Sequence, residues 1–171
     1  MTAFSFKQLQ EEQKPWTKHN FGDRPSWMPL MGVIEEIGEM MEALIAEDEE
    51  AFQDGIADCI VFMSDFCIAM EFDFEEITNQ HVEREFWGHG DRALAIFGAR
   101  LSHSYLKKAQ GIRGTPELHD RDMMQACTQI FKWLDKACSA RGIDIEYLVG
   151  NVWEQVRKRD FKRFPKNGLN T

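Results

Sequence analysis

Two consecutive segments with different helical patterns constrain the fold of this chain most strongly. Between Leu30 and Ile45, apolar residues recur at intervals of three and four, which is the period of an amphipathic helix. From Ala51 to Met70 the chain is apolar on almost all sides, so this second helix is expected to lie inside a core. Only a short acidic turn at 47–50 separates the two segments. They predict two adjacent antiparallel helices, and because the rest of the chain is similarly helical, the predicted fold is all-α.

Acidic residues occur in both helices at spacings that place them on one side. Glu36 and Glu39 are three residues apart and Asp54 and Asp58 are four apart, so each pair projects from neighbouring positions of its helix. Asp58 lies in an apolar helix, and a buried carboxylate requires a cation, a hydrogen-bond partner or a raised pKa. Four converging carboxylates favour a hard cation, Mg²⁺ or alternatively Mn²⁺. These four residues are the predicted metal ligands.

Other interpretations apply to the remaining acids, histidines and cysteines. A solvated helix surface explains Glu42 and the acids of the 47–50 turn. A di-iron carboxylate bundle would need Glu three residues before His, and none of the five histidines has it. The four cysteines lie in apolar segments without C-x-x-C spacing, which predicts buried thiols rather than disulfides or zinc ligands.

Charge is distributed unevenly along the chain. Residues 1–86 carry 20 Asp and Glu against 5 Lys and Arg, whereas residues 87–171 carry 9 against 15. An acidic half that could hold a metal is thus joined to a basic half that could hold phosphate groups, and simple charge complementarity between the halves is the alternative. The phosphate-side candidates are Lys107, Arg113 and Lys158. With a net charge of −9, the whole chain does not favour nucleic-acid binding.

A pattern in the first half recurs in the second. Residues 67–75 align with residues 138–146 at an offset of 71, and each segment holds a helix end, a turn and a capping Asp. The same offset would replace the four predicted ligands by a cation or an amide, namely Lys107, Gln110, Gln125 and Gln129. This predicts an internal duplication with a degenerate second helical repeat. The expected organisation is an acidic lobe at 1–88 and a basic lobe at 89–171, packed together as one domain.

The local pattern makes further predictions. A first helix is expected from Phe4 to Lys18, interrupted by Pro15, and a loop from His19 to Pro29. Asp73 is expected to cap the next helix. No run of 18 apolar residues and no secretory signal is found, so the chain is expected to be cytoplasmic and not membrane-bound.

The acidic motifs resemble those of a known family. Glu35-Glu36-x-x-Glu39, followed by an acid pair ending in Asp58, is similar to the MazG-type nucleoside triphosphate pyrophosphohydrolases, all-α proteins related to dimeric dUTPases. The flanking sequence resembles the same family, so the similarity covers residues 10–86; it includes Trp16, Asn20-Phe21, Met31-Gly32 and 79–84. The family's second motif usually reads E-x-x-D. Here Gly55 stands in place of that Glu, and Asp54 is the natural substitute.

The resemblance implies a helical bundle of the MazG and dimeric-dUTPase type that binds Mg²⁺. It implies cleavage of the α–β bond of an NTP or dNTP to NMP and pyrophosphate. Glu35 would be a ligand of a second ion or the catalytic base, and Asn79 and Arg84 would contact the substrate. Trp27 could stack on the base or pack as a hydrophobic lid. The alternative function is a catalytically silent nucleotide- or protein-binding bundle, and the chain could act alone or as a homodimer.

Overall fold

The computed structural model describes residues 4–81 and 90–170, and every regular element in these ranges is a helix. The helices are α1 (Phe6–Phe21), α2 (Trp27–Ala46), α3 (Glu49–Met70), α4 (Phe74–Asn79), α5 (Arg92–Gln110), α6 (Pro116–Ala140) and α7 (Ile145–Val156). The predicted all-α fold is confirmed. Within the described ranges, none of the helices is both long enough and apolar enough to cross a membrane.

Two helix pairs form the largest interfaces of the structure. Helices α2 and α3 pack along their length as one pair, and α5 and α6 form the other. Helix α3 also contacts α1, α6 and α7, because it is apolar on most sides and needs neighbours all round. Side chains from both halves of the chain share one hydrophobic core, including Ile60 and Phe66 from α3 and Ile130 and Leu134 from α6. All four cysteines are buried free thiols, as predicted.

The beginning of the chain differs from the prediction. Helix α1 runs without interruption through Pro15 and ends at Phe21, so the predicted loop from His19 to Pro29 is reduced to residues 22–26. Pro15 lies on the exposed face of α1, where the carbonyl that loses its helical donor can be hydrated. The acidic turn is also shorter than expected. Asp48 caps α3 by accepting a hydrogen bond from the Ala51 backbone N–H, and α3 begins at once with Glu49.

The ends of α3 and α6 are built alike. The Phe72 backbone N–H donates to the Cys67 carbonyl at 2.9 Å, and the Ile143 backbone N–H donates to the Cys138 carbonyl at 3.0 Å. The following helices are capped by aspartates in the same way, as predicted for Asp73: the two caps are Asp73, accepting from Glu76, and Asp144, accepting from Tyr147. The offset of 71 therefore relates α3 to α6.

The ends of α2 and α5 are also built alike, but at another offset. The Asp48 backbone N–H donates to the Ala43 carbonyl at 2.9 Å, and the Ile112 backbone N–H donates to the Lys107 carbonyl at 3.1 Å. The residue that ends each helix has a left-handed backbone, with φ of 56° at Glu47 and 65° at Gly111. These matched positions are 64 residues apart rather than 71.

The predicted equivalence of Lys107 with Glu36, and of Gln110 with Glu39, is therefore wrong by seven residues. The connection accounts for three of the seven residues, because residues 111–115 join α5 to α6 whereas only residues 47–48 join α2 to α3. Helix α6, with 25 residues against 22 in α3, accounts for three more, and the turn that follows α6 is one residue longer. At the corrected offset the two acidic positions of α2 correspond to basic side chains of α5, Arg100 and His103.

Close helix packing in the first pair gives a stability prediction. A Cβ at Gly32 would overlap the Phe62 ring, whereas a Cβ at Gly38, on the same helix, would meet nothing within 4 Å. Gly32→Ala is therefore expected to lower the free energy of unfolding by about 1–3 kcal/mol, because the ring must move. Gly38→Ala is expected to raise it by about 0.5–1 kcal/mol through helix propensity. Urea unfolding measures the change in both variants. Equal changes in the free energy of unfolding would contradict the close contact between position 32 and the Phe62 ring.

Candidate functional site

Five carboxylates lie along the interface between α2 and α3. Glu36 is buried at 8% exposure and Asp58 is half-buried, so both lie against the apolar interior of the helix pair. The other three are exposed around them: Glu35, Glu39 and Asp54. We call these five residues the acidic site. The helical period places the carboxylates of α2 near one another, and likewise those of α3. The packing of α2 on α3 then brings the two groups of carboxylates together.

The charges in the acidic site act on one another. Burial and the neighbouring carboxylates, Asp58 foremost, raise the pKa of Glu36 from 4.5 to about 8. Burial and the charges of Asp54 and Glu39 raise the pKa of Asp58, while the positive charge of Arg159 acts in the opposite direction. The predicted ligands are therefore close enough to repel each other. In the absence of a cation, the site favours retention of a proton.

The acidic site lacks protein partners in the described part of the chain. None of its five carboxylates accepts a hydrogen bond or forms an ion pair within residues 4–81 and 90–170. Equally, no three Asp, Glu, His or Cys side chains in those ranges are arranged to hold a metal ion as they stand. The donor chemistry nevertheless fits a hard divalent cation, since unpartnered carboxylate oxygens around a buried one are what Mg²⁺ and Mn²⁺ bind.

The packing of Met40 explains why position 55 carries no acid. A Cβ at Gly55 would lie 2.7 Å from Cγ of Met40, which fills the space between α2 and α3 at this level. Any side chain at position 55 would have to displace Met40 from the core, where it is fully buried. Close packing of α2 on α3 thus leaves no room for a side chain at position 55. Asp54 is exposed and lies beside Asp58 in the acidic site.

The C-terminal segment contributes the basic residue at the acidic site. Among the charged groups of the described residues, Arg159 is the one whose positive charge lowers the pKa of Asp58. Sequence reasoning selected the adjacent Lys158, which is exposed and is not among the charges that act on Asp58. The choice between the two depends on how the chain turns after α7, which the local sequence does not specify.

Helix α1 holds Arg159 in place through its backbone. The Trp16 indole N–H donates to the Arg159 carbonyl at 3.0 Å, and the Asn20 side-chain amide donates to the same carbonyl at 3.4 Å. The Asn20 side-chain oxygen accepts from the Phe161 backbone N–H at 2.6 Å, and His19 contacts Asp160 at 3.3 Å. Trp16 and Asn20 were noted for their resemblance to a family pattern. Their contacts here fasten the C-terminal segment beside the acidic site.

A second buried acid lies two helical turns beyond Asp58. Asp65 is 4% exposed, forms an ion pair with Arg24 and accepts a hydrogen bond from the Thr17 hydroxyl at 3.3 Å. This contact ties the loop between α1 and α2 to α3. The sequence contained the signal for it, because Asp65 is also an acid in an apolar helix and lies seven residues after Asp58, on the same face.

The other predicted site residues of the described ranges lie at or near the surface. Within the described ranges, none of them forms a hydrogen bond or ion pair with its carboxylates: Trp27 at the start of α2, Asn79 at the end of α4, Lys107 in the last turn of α5, Arg113 in the next loop and Lys158 after α7. Trp27 is 49% exposed. Arg84 lies outside the described residues.

The chain matches no known protein-family model, and comparison with curated proteins and with solved structures gave no significant match either.

Proposed function

We propose that this protein is a Mg²⁺-dependent nucleotide pyrophosphohydrolase of the MazG-like kind, which cleaves the α–β bond of an NTP or dNTP. One observation carries the proposal: Glu36 is a buried carboxylate, without a hydrogen-bond or ion-pair partner in the described residues, beside four other carboxylates. A protein gains nothing in stability from this arrangement. A bound divalent cation would offset the burial and mutual repulsion of these carboxylates, which supports a functional role for the acidic site.

Four carboxylates of the acidic site would hold the cation: Glu36, Glu39, Asp54 and Asp58. Bound there, Mg²⁺ or Mn²⁺ would neutralise phosphate oxygens and acidify a coordinated water. Glu35 is exposed and lacks a protein partner in the described residues, so its carboxylate is available to accept the proton of an attacking water. Met40, in the space beside Gly55, excludes water from the inner side of the site.

The substrate is proposed to approach between the acidic site and the C-terminal segment. The Arg159 backbone is held by hydrogen bonds from α1, and the positive charge of its side chain acts on Asp58. The Arg159 guanidinium is therefore suited to bind a phosphate of the substrate beside the acidic site. Lys158 and Trp27 are exposed candidates for further phosphate contact and for base stacking. Lys107, Arg113 and Asn79 remain predicted substrate residues without a supporting contact in the described ranges, and Arg84 remains a predicted one outside those ranges.

The alternative function is a bundle that binds nucleotides or proteins without turnover. The packing of Met40 beside Gly55 favours this alternative, because the position that carries an acid in the MazG-type pattern cannot supply one here. In that case, Mg²⁺ and nucleotide would bind without release of pyrophosphate.

Pyrophosphate release from a panel of NTPs and dNTPs tests the proposal. With Mg²⁺ or Mn²⁺, the full-length protein is expected to release pyrophosphate from one or a few nucleotides, and EDTA is expected to abolish the release. Asp54→Ala is expected to reduce turnover at least about 10-fold, because it removes one carboxylate from the acidic site. Metal-dependent nucleotide binding without pyrophosphate would support the silent alternative, and full activity in Asp54→Ala would disprove the four-carboxylate site.

A further inference from the structure

The C-terminal segment, which follows α7, folds back on itself through backbone hydrogen bonds. The Asp160 N–H donates to the Gly168 carbonyl at 2.7 Å, and the Gly168 N–H donates to the Phe164 carbonyl at 2.8 Å. Position 168 lies directly against Arg159, since a Cβ added there would be 2.5 Å from Cβ of Arg159. The backbone around Arg159 therefore belongs to a compact loop rather than to an extended tail.

One face of α1 binds both this loop and α3. Asn20 is only 7% exposed; its side-chain amide donates to the Arg159 carbonyl at 3.4 Å, and its oxygen accepts from the Phe161 N–H at 2.6 Å. Three residues earlier on the same face, the Thr17 hydroxyl donates to Asp65 of α3 at 3.3 Å. The Asn20 amide thus holds the backbone of residues 159–161 beside α3.

Arg159 acts on the acidic site without touching it. Asp58 lies seven residues before Asp65, on the same side of α3, so the contacts of α1 bring Arg159 toward it. The positive charge of Arg159 lowers the pKa of Asp58, yet no ion pair joins the two side chains in the described part of the chain. The guanidinium is therefore near the carboxylates and available to bind an anion.

A positive charge held beside a cation site has opposite effects on two ligands. It repels a divalent cation that binds alone, and it attracts the phosphate of a nucleotide. When a phosphate pairs with the guanidinium, this repulsion is neutralised. Each ligand then strengthens the binding of the other, because such coupling is reciprocal.

We propose that Asn20 is a positioning residue for Arg159: it holds the backbone of residues 159 and 161, and so keeps the guanidinium where it couples the binding of a divalent cation to the binding of a phosphate. The inference rests on the proposed function, since it takes the acidic site as the cation site. The coupling disfavours occupation of the acidic site by a cation in the absence of a nucleotide.

Isothermal titration of Mn²⁺ into the metal-free, full-length protein, with and without inorganic phosphate, tests the coupling without turnover. Phosphate is expected to tighten the binding of free Mn²⁺ by the wild-type protein at least about 3-fold. Arg159→Gln is expected to tighten the binding of Mn²⁺ alone at least about 3-fold and to abolish the effect of phosphate. Lys166→Gln is the matched control, because Lys166 is an exposed cation of the same segment whose charge is not among those acting on Asp58 or Glu36.

Two further variants test the positioning role. Asn20→Leu removes the hydrogen bonds to residues 159 and 161 with little change in side-chain size, and Trp16→Phe removes the indole N–H that donates to the Arg159 carbonyl. Each is expected to tighten the binding of Mn²⁺ alone, as Arg159→Gln does, and neither should add to Arg159→Gln in a double variant. A melting curve shows whether each variant is folded, and Trp16→Phe carries the test if Asn20→Leu is not.

The outcomes separate this proposal from the proposed function. Equal Mn²⁺ binding by the wild-type protein and Arg159→Gln would overturn the coupling, while pyrophosphate release could still be observed. Weaker Mn²⁺ binding by the α1 variants, or effects that add to Arg159→Gln, would show a merely structural role for Asn20. If the wild-type protein bound no Mn²⁺ with or without phosphate, the acidic site would not be a cation site and both proposals would fail.

Discussion

Glu36→Gln is expected to abolish metal-dependent pyrophosphate release and, at the same time, to stabilise the metal-free protein at alkaline pH. The activity should fall at least about 100-fold, because the substitution removes the innermost carboxylate of the acidic site. The stability effect has a separate cause. The folded protein holds the Glu36 proton with a pKa of about 8 against an ordinary 4.5, so folding favours the protonated form.

The sign of the pH dependence follows from this difference. Between about pH 4.5 and 8 the native state binds more protons than the unfolded state, so the free energy of unfolding falls as pH rises through that window. The stability of the metal-free wild-type protein is expected to decrease by an amount on the order of 2–4 kcal/mol from pH 5 to pH 8.5. Glu36→Gln should remove most of this decrease, whereas Mn²⁺ or Mg²⁺ should restore stability to the wild-type protein at pH 8.5.

Urea unfolding at pH 5 and pH 8.5, with and without metal, measures these effects. Glu42→Gln is the matched control, because Glu42 is an exposed acid of the same helix outside the acidic site, and it should change neither stability nor activity appreciably. A wild-type stability that is constant over this pH range would contradict the burial of Glu36. Full turnover by Glu36→Gln would remove the acidic site from the proposed mechanism.

The fold class and the acidic face of the helix pair could be predicted because both depend on local periodicity. The 3.6-residue period determines which side of α2 or α3 a carboxylate occupies, and an acid within the apolar pattern of α3 marks Asp58 as unusual before any tertiary contact is known. The same rule applied to Asp65 would have predicted a buried cation partner. It would not have identified Arg24, because the pairing depends on how the loop before α2 returns to α3.

The rest of the site depends on contacts between residues distant in sequence. Arg159 reaches the acidic site because Trp16, 143 residues earlier, binds its carbonyl, and no local pattern encodes that contact. The predicted correspondence between α2 and α5 residues was wrong because one offset was carried through a loop and a helix that are each three residues longer in the second half, and through a turn that is one residue longer. Gly55 looked like a defect in the acidic motif, and only the position of Met40 on the facing helix shows why a side chain is excluded there.

Arg24→Met is expected to be among the most destabilising single substitutions in the described part of the chain, lowering the free energy of unfolding by about 3–5 kcal/mol. Arg24 is the ion-pair partner of Asp65, whose side chain is 6% exposed and, within the described ranges, otherwise accepts a long hydrogen bond from Thr17 alone. Removing the guanidinium leaves a buried carboxylate that must be hydrated or protonated. Lys7→Met is the matched control, because the pair of Lys7 with Glu75 is exposed at 3.6 Å and should contribute less than about 1 kcal/mol.

A double-mutant cycle separates the ion pair from simple packing. Asp65→Leu alone should also destabilise, since it leaves the mostly buried Arg24 side chain without its carboxylate partner. The combination of Arg24→Met with Asp65→Leu should cost less than the sum of the two single changes, because neither charge is then left unpaired. Additive effects in urea unfolding would show that the two side chains do not interact. Because the Arg24 contact ties the loop before α2 to α3, retained nucleotide turnover in the double variant would show that the pair stabilises the fold without shaping the acidic site.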